Sequence, residues 1–366
     1  MKTHVAVLLL LVATAPVFAA KKMTIQELKQ TLDSLNQAKK NDEQIATVLK
    51  EVELSEELSA STLTSFLPQS PGPETNEQMY VLEARSAMLK PPSSELPQLP
   101  PPDAAMQEAL RDKAIGLLIS SSKQLPTLTA SKANSRFAHK IFNKSGDNIG
   151  VGDQSIMSLT SRYTDIVEMD QGVERTQTSG ADPRLRRIAP TPEGGIAPAA
   201  SLFLRQAHED GNIHWLRWEI VNGIKTAAFS FAVNKEKSPY CVDYCCFPTH
   251  GQVGREDWKP FKKTVGVHGE FFVDPDSGTI VRFIDQAEFN GGDFIHVENT
   301  RIDYGHVDVN GRTYVLPQRS ITQTEVVATG DFNEAGGPKM PRILLVSGYF
   351  NYRVAGSTEA GRKESR

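Results

Sequence analysis

Three cysteines and eight histidines are the residues of this chain best able to do chemistry. Cys241, Cys245 and Cys246 are the whole thiol complement, and His250 follows within ten residues. Four soft or borderline ligands at that spacing would suit zinc or copper. Neighbouring residues of a strand, however, point to opposite faces, which disfavours a common ligand sphere. The competing reading is a disulfide. Cys241 with either Cys245 or Cys246 closes a small loop if the backbone turns at residues 242–244. Cys245 and Cys246 would form a strained ring with each other, so one thiol is left free or pairs between chains. A disulfide is the preferred expectation, with no metal and no cofactor.

The histidines offer an enzymatic alternative. His208-Glu209-Asp210 has no second histidine one helical turn on, so it is not the zinc-protease arrangement. His268, His296 and His306 lie in strand-patterned segments and could meet acidic residues on a sheet, as in a hydrolase of the cell envelope. No Gly-x-Ser-x-Gly elbow is present. Gly150-Val151-Gly152 and Gly291-Gly292 are not followed by helices and so do not cradle phosphate. The basic cluster at Arg184, Arg186 and Arg187 reads as a solvated loop. A different chemistry is carried by aromatic residues. Trp215, Trp218, Phe229, Phe231, Phe271, Phe283 and Tyr314 all fall in strand-like segments. They would either fill a core or line a hydrophobic cavity beneath a curved sheet.

These residues must be positioned by what surrounds them. The 366 residues open with an apolar run from Val5, followed by small residues at Ala15, Val17 and Ala19. Residues 1–19 read as a secretory signal, too short to span a bilayer, and no cysteine follows for lipid attachment. The expected location is the periplasm or the extracellular space, where a disulfide is chemically permitted. The formal net charge is −4, and becomes −5 without Lys2 of the signal. Such a mild, dispersed charge gives no reason to expect nucleic acid as a partner. No later apolar stretch reaches spanning length.

Residues 20–90 carry helical periodicity. Thr24-Ile25-Gln26-Glu27 fits a capping box ahead of Leu28, Leu32 and Leu35. Asn41-Asp42 starts a second helix and Ser55 is expected to cap a third. A fourth follows around residues 77–89. Residues 91–102 are a proline-rich connector, extended and stiff. A longer helix from Ala104 presents Met106, Leu110, Ala114, Leu117 and Leu118 as its stripe. From Ser135 the period changes to two. Asn222-Gly223 and Asn310-Gly311 join alternating runs and read as hairpin turns, and Gly278 ends a third turn. At least eight strands follow one another, so residues 103–355 are expected to form one antiparallel domain, ending in a polar tail at 356–366.

Several runs carry a resemblance: residues 269–282, Ile302-Asp303-Tyr304-Gly305, and Tyr314-Val315-Leu316-Pro317 through Arg319-Ser320. With the helices of residues 24–66 and the Cys245-Cys246 pair, they resemble a group of exported bacterial proteins of unassigned function. The β region of that group is similar to the outer-membrane lipoprotein-carrier (LolA-like) fold. The resemblance implies an α+β fold in which a large curved antiparallel sheet, a half-barrel, packs on helices behind a small N-terminal helical region. It also implies a hydrophobic ligand or lipoprotein held between sheet and helices. The expected function is therefore a non-enzymatic envelope protein binding a lipid, lipoprotein or other hydrophobic partner. The N-terminal helices would cover the cavity or engage an envelope protein. A purely structural interaction module is the third expectation.

Overall fold

The computed structural model describes residues 21–142, 154–170, 173–178, 191–192, 200–248, 258–293, 295–326 and 342–356. The expected signal, the Arg184–Arg187 cluster, His250 and residues 357–366 lie outside them. Four helices form the N-terminal region: α1 (Ile25–Gln37), α2 (Asp42–Lys50), α3 (Ala60–Phe66) and α4 (Pro73–Ser86). Thr24 and Asn41 each close a capping box, satisfying backbone donors at the starts of α1 and α2. Strands β1 (Lys21–Met23) and β2 (Val52–Leu54) pair in parallel beside them. That pairing explains why α3 starts later than the sequence suggests. The Ser55 amide is spent on the Met23 carbonyl, and Ser59 caps the helix instead. The apolar faces meet in one core of Leu28, Leu32, Ile45, Leu49, Phe66 and Met79.

After α5 (Ala104–Gln124) come β3 (Leu128–Phe142), β4 (Gln154–Asp170), β5 (Val173–Thr178) and β6 (Thr191–Pro192). Helix α6 (Ala200–Glu209) precedes β7 (Ile213–Val221) and β8 (Ile224–Val233). The chain continues through β9 (Cys241–Pro248), β10 (Trp258–Thr264), β11 (Gly266–Val273) and β12 (Ile280–Glu288). It ends with β13 (Ile295–Val309), β14 (Arg312–Val326) and β15 (Arg342–Val354). Ten strands form one sheet in the order β5-β4-β3-β15-β14-β13-β12-β11-β8-β7, every pairing antiparallel. Strands β10, β9 and β6 form a small second sheet. The Asn-Gly turns are as the sequence suggests: Asn222, Gly223, Asn310 and Gly311 all have positive φ, between 51° and 81°.

Side chains alternate between the two faces of the large sheet, and both faces are used. On one, Phe229, Phe231, Phe271 and Phe283 pack against Leu110, Ala114 and Ile115 of α5 and against Phe203 and Leu204 of α6. Ile115 takes the place expected of Met106 and Leu117, which are exposed. On the other face, Val81 and Ala84 of α4 pack on Phe137, Met157, Ile321 and Leu344. Met88 packs there against Phe272 and Ile284.

This arrangement corrects the expected half-barrel. The fold is α+β with a large antiparallel sheet, but the sheet is not strongly curled or closed, and β5 and β7 remain as separate edges. A half-barrel needs helices gathered on one concave side. Here helices lie against both faces, so neither face is free to wrap around them.

The expected disulfide is corrected too. Cys241 is a free, exposed thiol. Strand β9 is extended through Cys241, paired with Thr264, and through Tyr244, paired with Phe261. The turn at 242–244 that a disulfide required is therefore absent. Four extended residues span about 13 Å, beyond the Cα separation of about 7 Å that a disulfide tolerates. Between the Lys259–Phe247 and Phe261–Tyr244 pairs, Cys245 and Cys246 together oppose Pro260. A proline, lacking an N–H, suits such a bulge.

Candidate ligand-binding groove

The face of β7, β8, β11 and β12 opposite the phenylalanine cluster is where side-chain chemistry gathers. Strand alternation places His268, Glu270 and Phe272 on this face while Phe271 points to the other. Ile284 and Gln286 of β12, Ser230 and Ala232 of β8, and Arg217 and Glu219 of β7 share it. The segment Met88–Pro91, immediately after α4, runs over these strands. It is fixed there because the Glu57 amide donates to the Lys90 carbonyl at 2.8 Å and the Leu58 amide to Ser86 Oγ at 3.0 Å. Between segment and sheet lies an open groove of about 540 Å³. That volume falls in the range of small-molecule sites. Its apolar lining includes Met88, Leu89, Leu216, Phe231, Phe272 and Ile284, and its polar lining includes Glu57, Lys90, His214, Arg217, Glu219, His268 and Glu270.

Gly269 permits this geometry. A Cβ there would sit 1.9 Å from the Ile284 carbonyl oxygen and 2.9 Å from the Phe231 ring. Strands β11 and β12 pass too closely for any other residue.

Beside the groove, on the same face of the sheet, is a buried ionic network. Arg282 donates to Asp303 at 2.6 Å and to Glu57 at 3.2 Å, and Arg301 donates to the same two carboxylates. Glu83 of α4 pairs with Arg319. Gln323 donates to the Ala84 carbonyl at 2.7 Å. These contacts join residues 57–85 to β12, β13 and β14. Burial alone would push the Asp303 carboxyl up, but Arg282 and Arg301 outweigh it and hold Asp303 well below the ordinary carboxylate range. Arg217 bridges Glu219 and Glu270, at 2.8 Å to each. Glu219 behaves oppositely to Asp303. Burial is the largest influence, Arg217 only partly offsets it, and Glu57 adds repulsion, so its pKa rises to about 7.

The sequence-derived candidates are distributed as follows. Phe229, Phe231, Phe271 and Phe283 are buried together, with Phe231 and Phe283 stacked at 5.1 Å between centroids. Phe203 of α6 stacks on both. Trp215 and Trp218 flank this cluster, edge to face at 5.0 Å. The Trp218 indole donates to the Pro100 carbonyl at 3.0 Å, so the proline-rich connector lies across β7. Tyr314 belongs to a separate cluster with Leu128, Val309 and Leu316. Of the seven, only Phe231 borders the groove. His268 lines it, but both ring nitrogens are engaged, Nδ1 by Glu288 at 3.1 Å and Nε2 by Gln286 at 3.0 Å. Cys241 lies outside it, and the side chains of Cys245 and Cys246 are outside the described residues. Among the described residues, no three His, Cys, Asp or Glu side chains converge as metal ligands. No helix among them is long and apolar enough to cross a membrane.

Sequence reasoning missed Arg217, Glu219, Glu270, Arg282, Arg301 and Glu57. The available signal was charge inside a strand pattern. Arg282 follows Val281 and precedes Phe283, where a solvent-facing position is the ordinary assumption.

No protein-family model matches the chain, and no curated protein sequence matches it. In structure the chain is similar to a crystallised Vibrio parahaemolyticus domain described as part of an outer membrane lipoprotein-sorting protein. The identity is 10%, with 69% of this chain and 95% of that chain covered and a TM-score of 0.31.

Proposed function

We propose that this chain is an exported, non-enzymatic envelope protein that holds a hydrophobic or amphipathic partner, such as a lipid or a lipoprotein segment, in the groove under residues 88–91. The observation that carries this reading is the groove itself. It is open, and apolar side chains share its lining about equally with charged and polar ones, which suits a partner with both an apolar and a polar part. The phenylalanine cluster on the other face is filled by α5 and α6 and leaves the ligand role to this side. Export follows from the apolar run at residues 5–13. The helices of residues 25–86 present a polar outer surface that would suit contact with another envelope protein.

Native mass spectrometry of the mature protein purified from its own envelope tests this reading. A co-purifying lipid or acylated peptide is expected. It should be lost on Ala232→Trp, which fills the groove from the floor of β8. An empty protein that also fails to take up detergent-like probes would refute the reading. A hydrolase is the second reading, favoured by His214, His268, Glu219 and Glu270 lining one groove. It is weakened because His268 has no ring nitrogen left for a substrate proton. Turnover in an esterase or amidase screen that vanishes in His214→Ala would establish it.

A further inference from the structure

Guanidiniums and carboxylates are unevenly shared along the groove. Glu57, Glu83, Glu219, Glu270 and Asp303 supply five carboxylates, and Arg217, Arg282, Arg301 and Arg319 supply four guanidiniums. Glu57 and Asp303 are matched by Arg282 and Arg301, and Glu83 by Arg319. Glu219 and Glu270 share one guanidinium, Arg217, while Lys90 stands exposed elsewhere on the groove's lining. Glu219 is 1% exposed, yet it borders the groove. Arg217 meets its Oε2, through Nε at 2.8 Å and Nη2 at 2.6 Å. Its Oε1 has no hydrogen-bond donor among the described residues, and it is not one of the fully enclosed unpaired atoms. A carboxylate withdrawn from water and paired through one oxygen only retains a second oxygen that can accept from a cation.

On this basis, and resting on the ligand-site reading above, we propose that the groove selects amphipaths bearing a primary amine. The ammonium would donate to Glu219 Oε1 beside Arg217, and the chain would lie along Met88, Leu89, Leu216, Phe272 and Ile284. An anionic head group at this position would meet Glu219 and Glu270 and be disfavoured. A neutral head group would bind through its chain alone. Burial holding Glu219 near 7 in the empty protein agrees with a site that becomes fully ionised when a cation arrives. The other charged or titratable groups facing Glu219 are Arg217 on its own strand, His268 and Glu270 on β11, Arg282 on β12, and Glu57 and Lys90 from the N-terminal region. His214 lies further along β7.

The test is calorimetric titration of the full mature protein with dodecylamine, dodecanol and dodecanoate, each below its micelle concentration, at pH 8 and pH 6. The amine should bind at least tenfold more tightly than the alcohol at pH 8, with dodecanoate weakest. The amine's advantage should shrink several-fold at pH 6, where Glu219 is protonated. Glu219→Gln should bind amine and alcohol alike and lose the pH response. Dodecanoate binding as tightly as the amine would overturn the proposal, and this comparison needs only the wild-type protein. A pH response that persists in Glu219→Gln would assign it to His214 or His268 and would also overturn it. Binding of all three chains with equal strength would leave the ligand-site reading standing and refute the amine selectivity. Binding of none would refute both.

Discussion

Glu57 is the single residue whose removal should cost most. It reaches from the loop before α3 to two guanidiniums on the sheet, and it is 3% exposed, against 2% for Arg282 and 0% for Arg301. In Glu57→Ala, Arg282 and Arg301 would share Asp303 alone, leaving one buried positive charge uncompensated. Breaking a buried pair from one side costs about 3–5 kcal/mol, whereas an exposed pair such as Lys29–Asp33 contributes under about 1 kcal/mol. With a urea dependence of about 3 kcal/mol per molar, the midpoint should fall by roughly 1–2 M. The assay is equilibrium urea unfolding followed by circular dichroism and tryptophan fluorescence, with coincident transitions required. Arg301→Met in the Glu57→Ala background removes the orphaned charge. The double variant should therefore be more stable than the additive expectation by more than about 1 kcal/mol. A Glu57→Ala cost below about 1 kcal/mol, with no coupling to Arg301, would refute the view that this network fastens the helical region to the sheet.

Three further outcomes follow from the same contacts. Glu219 has a folded pKa of about 7 against an ordinary value of 4.5, so the unfolded chain releases its proton first and stability falls as pH rises from about 4.5 to 7. The full loss is of order 3 kcal/mol, and Glu219→Gln should flatten that part of the urea-midpoint profile; an unchanged slope would remove Glu219 as its source. Gly269→Ala should destabilise by more than about 2 kcal/mol, because the methyl group meets backbone rather than a side chain that can move; a melting temperature unchanged from wild type would contradict the close strand approach. Cys241 should react with a thiol reagent in the native protein without prior reduction, and mass spectrometry should locate the adduct there; protection until reductant is added would restore the disulfide.

Local features were the most legible in the sequence. The Thr24 and Asn41 caps and the two Asn-Gly turns depend on residues within four positions of one another, and they stand where their residue types put them. The antiparallel character of the sheet followed from those turns. Its lack of strong curl did not, because alternation says which residues share a face and not which helices will cover it. Phe283 and Arg282 separate cleanly by alternation, yet only the approach of Glu57, 225 positions earlier, makes the Arg282 face an interior. The cysteine reading failed for a similar reason. A spacing of four allows a loop, and pairing with Thr264 and Phe261 imposed a strand instead. The groove was illegible because its walls come from residues 57, 88–91, 212–234 and 268–286, and no local pattern joins them.

The pairing of β3 with β15 sets the order in which this molecule can be made. Ser135 lies opposite Val346 and Asn134 opposite Ser347, so the sheet joins only when chain more than two hundred residues apart has met. Glu57 and Glu83 wait on partners at 282, 301 and 319 in the same way. Such high contact order implies slow folding, since loop closure precedes the contacts that reward it. The helices of residues 25–86 can collapse early around Leu28, Ile45 and Phe66, but their inward carboxylates stay hydrated until β12–β14 exist. The two halves of such a chain cannot lock until the last strand has been made, so its early intermediates keep apolar edges and hydrated carboxylates side by side.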